Sequence, residues 1–230
     1  MNELVEYFPA ILQGSLVTLK VALLSVLLAI LFGLAGAASR LSTSRWLRFP
    51  AVAYTTLIRG MPDLVLMLLV FYGGQVVVNS IADRYEVEPF DLDPFVAGVS
   101  TIGFIFGAYF TETFRGAFMA VPSGQMEAGR AYGMNRWQVF HRILFPQMVR
   151  HALPGIGNNW QVLLKSTAIV SMIGLTDMTL LADQAGRTTH QPFIFYSMVA
   201  AIYLLFTAAS GWGMVQLERR YSVGVRHASL

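Results

Sequence analysis

Apolar residues in this chain run together in long blocks instead of recurring on one face of a helix. Runs over residues 16–38, 51–79, 95–119, 156–176 and 193–217 are each about as long as the ~20 residues a helix needs to cross ~30 Å of hydrocarbon. The pattern predicts an all-α integral membrane protein, five transmembrane helices forming a single domain over 1–230. Asn158, Asn159, Gln161 and Lys165 interrupt the fourth run. Four spans plus a re-entrant or buried segment is therefore the alternative count. One stretch fits no span at all: Pro122 to Pro146 is polar and basic, with helical spacing of its own.

Composition supports the same class. Hydrophobic residues make up 55% of the chain and charged ones 13%, with a mean hydropathy of +0.56, which suits a bilayer rather than a soluble core. The first run is read as a retained span. Glu3 and Glu6 precede it where a secretion signal carries positive charge, and it is too long for a signal, despite the small-residue Ala35-Gly36-Ala37. There is no cysteine, which removes disulfides and thiolate metal sites. His141, His151, His190 and His227 are scattered and suggest no ligand set.

Charge orients the spans. Arg40, Arg45 and Arg48 follow the first run; Arg130, Arg136, Arg142 and Arg150 lie between the third and fourth; Arg219, Arg220 and Arg226 follow the fifth. On the other side Arg84 sits among Asp83, Glu86, Glu88, Asp91 and Asp93, with Arg187 the remaining cation. The positive-inside rule places the N-terminus outside, and the 122–146 insert and the C-terminus in the cytoplasm. The net charge of +3 is thus a topology signal. Short basic groups beside apolar runs suit membrane lipid headgroups, and no nucleic-acid partner is expected.

Connections are short. The stretch SRLSTSRWLRFP is predicted as a turn with Pro50 at the start of the next helix, and Trp46 and Trp137 suit headgroup depth. The 80–94 loop is expected to begin as a helical extension and to end in the extended Asp91-Leu92-Asp93-Pro94 turn. Gly33 with Ala37, and Gly103 with Gly107, permit close helix approach.

In the insert, Ser123 is placed to cap a helix carrying Glu127 in an early turn. Asn135 with Gln138 forms a second cap and capping pair. Gly133 allows a turn between them, and Pro146 is expected to end the second helix. Trp137, Phe140, Ile143 and Leu144 make an apolar stripe on that basic helix. Two readings follow: an amphipathic helix lying on the membrane surface, or a helix pair presented to a cytoplasmic partner.

Spacing here is specific. Glu127-Ala128-Gly129, three residues, Gly133, nine residues, then Ile143-Leu144-Phe145-Pro146 resembles the coupling motif of ABC importer permeases, EAA-x3-G-x9-I-x-L-P. Gly129 and Phe145 depart from it and keep a small and an apolar side chain. LIRGMPDLVLMLLVFYG at 57–73, GAYFTETFRGAFMAVPSGQ at 107–125 and ALPGIGNNWQVLLKSTAIVSMIG at 152–174 extend the resemblance to the polar amino-acid (HisM/HisQ) family of these permeases. YTTLIRGMPDLVLMLLVFYG and the terminal LERRYSVGVRHASL resemble its members that carry histidine, lysine, arginine and ornithine.

The resemblance implies the five-span type I importer core. It implies pairing with a homologous, HisM-like permease, two HisP-like ATPase subunits that bind ATP and Mg, and a periplasmic amino-acid-binding protein. Glu127, Ala128, Gly129, Gly133, Ile143, Phe145 and Pro146 become the ATPase-coupling segment. No cofactor is expected in this chain itself, nor a catalytic residue. Independently, a P-loop needs glycines before Gly-Lys-Ser/Thr, whereas Lys165-Ser166 follows leucines.

Ionisable residues within spans are costly and invite a functional reading. Asp63, Glu112, Lys165 and Asp177 are the candidates, with Arg59 and Arg115 near span ends. Glu112 can face the pathway and attract a cationic side chain, helped by Tyr109 and Thr111, or simply pair with Arg115 three residues on. Asp63 can do the same, or start a helix after Pro62 near Arg59. Lys165 can meet a substrate carboxylate, snorkel, or pair with Asp177. An ion-coupled secondary transporter and a non-transporting membrane assembly subunit remain the alternatives to an importer.

Overall fold

The computed structural model describes residues 2–221, with side chains from residue 6 onward. The end of the LERRYSVGVRHASL stretch, with Arg226 and His227, lies outside the described residues.

Helices are the only regular elements among the described residues. α1 (Asn2–Leu41) spans the first run, α4 (Pro94–Met119) the third and α9 (Pro192–Tyr221) the fifth. At 40 residues α1 is about 60 Å long, so it projects well past the hydrocarbon. The second run is not one helix. It divides into α2 (Arg45–Arg59) and α3 (Asp63–Arg84), separated at Gly60-Met61-Pro62. Pro62 is extended (φ −62°, ψ 135°) and stands outside both helices, while its ring disfavours the helical conformation at Met61 before it. α2 is 15 residues and too short to span; α3 is long and apolar enough. Pro50 falls inside α2 instead of at its start, since the helix begins five residues earlier after Ser44.

The fourth run is broken as well. α7 (Phe145–Ser166) passes into a 3-10 segment, Thr167–Ile173, that stops at left-handed Gly174 (φ 85°). α8 (Met178–Thr189) then leaves at 56°. The molecule is therefore an all-α, multi-spanning membrane protein with, among the described residues, four helices able to cross a bilayer, or five if this bent pair counts as one span. Two of the polar residues that weakened the fourth run, Asn159 and Gln161, are interhelical ties, and Thr167 adds a third. Asn159 donates to Thr113 of α4 (3.0 Å), Gln161 to the Thr207 carbonyl of α9 (3.2 Å), and Thr167 meets the Tyr203 hydroxyl (3.2 Å).

α4 is the most buried of the long helices and packs along α1, whereas α3 and α9 leave most of their length exposed. Small residues make the α1–α4 approach possible. A Cβ at Gly33 would lie 2.5 Å from Phe110 Cβ, and one at Gly103 or Gly107 would meet Leu28 or Phe32 within 2.8 Å. Without a hydrophobic driving force between helices in lipid, such close van der Waals contact is what holds them. A second apolar cluster joins Ile11 of α1 to Met178 and Ala182 of α8 and Phe195 of α9. Asp177 caps α8 at its centre, accepting from the Leu180 amide (2.9 Å) and from Thr18 (3.5 Å). It is fully buried and held there, so it does not pair with exposed Lys165.

The 80–94 loop follows its expectation. α3 extends to Arg84, and an extended stretch ends at Asp93, whose carboxylate accepts from the Val96 amide (2.8 Å) with Pro94 at the first helical position.

Candidate functional site

Two regions carry the chemistry. The first is the insert, built as α5 (Ser123–Ala131), a left-handed turn, α6 (Arg136–Val139) and a π-helical turn over Phe140–Leu144. Ser123 is the first residue of α5 but makes no cap; extended Pro122 precedes the helix. α5 ends at Gly133 (φ 81°), where the Gly133 amide reaches the Arg130 carbonyl (2.9 Å) and the Met134 amide the Gly129 carbonyl (3.1 Å). That double bond pattern is the Schellman stop, and it needs a residue that tolerates positive φ. Asn135 then opens α6 with the expected reciprocal box: Gln138 N donates to Asn135 Oδ1, and Asn135 N to Gln138 Oε1, both at 2.9 Å.

Pro146 does not end this helix. It occupies the first turn of α7, and the preceding turn widens so that the Phe145 amide reaches back to Phe140. A π turn removes the clash that a proline ring makes with the fourth carbonyl behind it, so chain direction continues into the membrane. The insert is thus fused to α7 without a hinge loop. α5 folds over α6 through Gly129: a Cβ there would stand 2.5 Å from Ile143 Cδ1 and 3.5 Å from both Met134 Sδ and Val139 Cγ2. Gly129, in the position of the motif's second alanine, thus lets the Ile143 side chain close over α5. Gln125 and Gln147 close the base of the pair (2.6 Å). Glu127 and Ala128 remain exposed on the outer face of α5, and Phe145 and Pro146 are exposed beside it.

The stripe predicted for the second helix is rearranged by the π turn. Val139 is buried at 4% exposure and Ile143 is turned onto Gly129, whereas Trp137 is 69% exposed.

The second region is a charge cluster where α1, α2 and α4 meet. Glu112 pairs with Arg115 as its spacing predicts (2.8 Å), but it also pairs with Arg40 of α1 (3.3 Å). Arg40 in turn donates to Thr55 of α2 (2.7 Å). Because the Arg40 guanidinium is directed at Thr55, Glu112 Oε1 is within ion-pair distance yet has no aligned hydrogen bond. Glu112 is also among the residues lining a cavity of about 370 Å3, with Arg40, Thr55, Arg59 and Tyr109, although its Oε1 is itself buried. The Arg59 guanidinium lies over the Tyr109 ring, 5.3 Å from its centroid.

The other candidates are absent from the lining of this cavity, though Asp63 lies near enough to Tyr109 for their charges to interact. Thr111 is fully buried, donates to the Gly107 carbonyl (2.8 Å), and fills the place where Gly36 of α1 lacks a Cβ. Asp63 starts α3 and has Ser166 of α7 as its hydrogen-bonding neighbour. Lys165 is exposed on α7. Sequence reading missed Arg40 and Thr55 because nothing local links them to Glu112.

Residues 25–223 match the family of binding-protein-dependent transport system inner membrane components. The histidine/lysine/arginine/ornithine transport system permease protein HisQ of Escherichia coli strain K12 is 57% identical over 220 residues, covering 96% of both chains. The octopine transport system permease protein OccQ of Rhizobium radiobacter is 42% identical over 216 residues, covering 94% of this chain and 91% of that one. The crystal structure of an amino acid ABC transporter with histidines superposes with a TM-score of 0.81 at 34% identity, covering 94% of this chain and 96% of that chain. Full-length similarity of this kind, on a fold with the coupling spacing intact, decides the matter: the chain belongs to the family of binding-protein-dependent transport system inner membrane components, and is a permease subunit of an ABC importer for basic or polar amino acids.

Proposed function

We propose that this permease carries basic amino acids, histidine, arginine, lysine and ornithine, inward across the inner membrane in a heterodimer with a second, homologous permease. Two ATPase subunits supply ATP hydrolysis, and a periplasmic binding protein delivers the cargo. The observation that carries this reading is the insert: a packed two-helix unit, fused to α7 without a break, that presents Glu127 outward. Movement imposed on such a unit passes directly to the spans, as alternating access driven from outside the chain requires.

The topology that suits this role has five spans, with α7 and α8 forming the broken fourth. The N-terminus is outside and the insert is in the cytoplasm, in keeping with the clustered arginines. Glu127 and Ala128 make the contact with the ATPase; Gly129, Gly133 and Ile143 shape the unit, and Phe145 and Pro146 join it to α7. For the cargo, the cavity beside Glu112 and Tyr109 is the strongest pathway candidate. It is roomy, and the Glu112 side chain and the Tyr109 ring both help to line it. Asp63 and Lys165 lie farther along the pathway, and Thr111 supports it from the α1 side.

The test is ATP-dependent uptake by the reconstituted complex, comparing histidine, arginine, lysine and glutamine. The proposal expects uptake of the cationic amino acids, with histidine carried as well, and little glutamine. Uptake that ignores ATP depletion and collapses with a proton uncoupler identifies an ion-coupled transporter; no uptake with any of the four identifies a non-transporting subunit.

A further inference from the structure

The insert holds two large aromatic side chains that its own fold does not use. Tyr132, at the end of α5, is 89% exposed, and Trp137, in α6, is 69% exposed. Local packing is complete without them. Gly129, Val139, Ile143 and Met134 form the contact between α5 and the following helix, and the Schellman turn and capping box fix the backbone. Trp137 is nevertheless held in one orientation, stacked on Phe140 (5.8 Å, 24°) and His141 (6.0 Å, 27°). A rigid exposed aromatic loses little conformational entropy when it is covered, which is why Trp and Tyr dominate the energetic centres of interfaces.

A membrane surface is the wrong cover for this pair. An interfacial helix needs a continuous apolar face to lay into the headgroup boundary. Val139 and Ile143, which would extend such a face from Trp137, are turned inward onto Gly129. Tyr132 and Trp137 instead flank a tip made of Gly133, Asn135 and Arg136, two aromatic points with polar groups between them. Arg130, Arg136 and Arg142, close to them in sequence, are exposed as well. Two exposed aromatics with neighbouring exposed arginines fit a protein cleft with apolar pockets and a carboxylate rim, since Arg with Trp and Tyr is the composition of interface hot spots and rim charges steer the encounter.

We infer that Tyr132 and Trp137 are the anchor residues by which this permease seats in its ATPase subunit, in apolar pockets edged by acidic side chains. The inference rests on the ATPase-coupling reading of the insert and adds to it the residues that carry the affinity and the chemistry of the surface they enter.

The experiment uses the full complex in detergent and in vesicles. Tyr132→Ala with Trp137→Ala lowers the apparent affinity for the ATPase subunit at least tenfold, and Trp137→Phe keeps it within about threefold. Trp46→Ala, which removes a still more exposed tryptophan from α2, leaves it unchanged. A polarity-sensitive probe on Trp137→Cys, in vesicles holding the permease pair alone, shifts to the blue when the ATPase is added. If wild-type complexes assemble and the double variant binds within twofold of them, the anchors are refuted while the coupling reading stands. If the probe is already blue-shifted by the bilayer and unmoved by the ATPase, the two residues are membrane contacts and the inference fails. If the wild-type permease recruits no ATPase at all, it is the coupling reading that fails.

Discussion

The insert and the Glu112 cluster are both polar islands in an apolar chain, and they differ in where their polar groups point. In the insert, small and apolar residues turn inward, the backbone is closed by its own caps, and Glu127 and the arginines are left facing outward. Around Glu112 the charges face one another: Arg115 and Arg40 hold the carboxylate, and Thr55 holds Arg40. Buried charges must find partners within the fold, as those around Glu112 do, whereas exposed charges are solvated and open to another molecule. Glu112 belongs to the first kind, although its side chain also helps to line the cavity.

The contrast can be broken hardest at Gly129. Valine there places a Cβ 2.5 Å from Ile143, and overpacking of this sort costs about 1–3 kcal/mol in a unit with few other contacts. Gly129→Val is expected to reduce recovery of the ATPase with the permease more than tenfold while membrane insertion is normal. Wild-type recovery would mean that the insert does not act as one packed body. Next in size is Glu112→Gln, which keeps the shape and removes the charge. Uptake of arginine or lysine falls about tenfold, equivalent to about 1.4 kcal/mol, with ATPase recovery intact. Unchanged kinetics would make Glu112 a fastening for Arg40 and Arg115 and nothing more. Smaller still is Asn135→Ala, which removes one half of the capping box. The expected cost is about 1 kcal/mol, read as faster amide exchange at Gln138 with uptake little altered.

What was legible in the sequence divides along similar lines. Spans one, three and five follow from local composition, and the Asn135–Gln138 box and Gly133 turn from residues a few positions apart. The break in the second run was marked by Pro62, but an apolar run conceals a proline's effect on direction. Pro146 was read as a stop because a local rule forbids it mid-helix; the π turn before it evades that rule by widening. Arg40 with Glu112, and Gln161 with Thr207, join helices distant in the chain, and only packing shows such pairs. The candidate coupling residues could be proposed from sequence because their motif lies within 127–146. The cavity could not, because three helices build it.

Everything above turns on whether the insert is held by an ATPase subunit, and charge reversal at its exposed carboxylate asks that most directly. Glu127→Lys changes no contact within the permease fold, since the side chain faces outward. The quantity to measure is the ATPase subunit retained per permease after purification, alongside ATP-dependent uptake. The account predicts a permease that inserts normally, loses most of its ATPase and transports little. Full retention with wild-type uptake would contradict it.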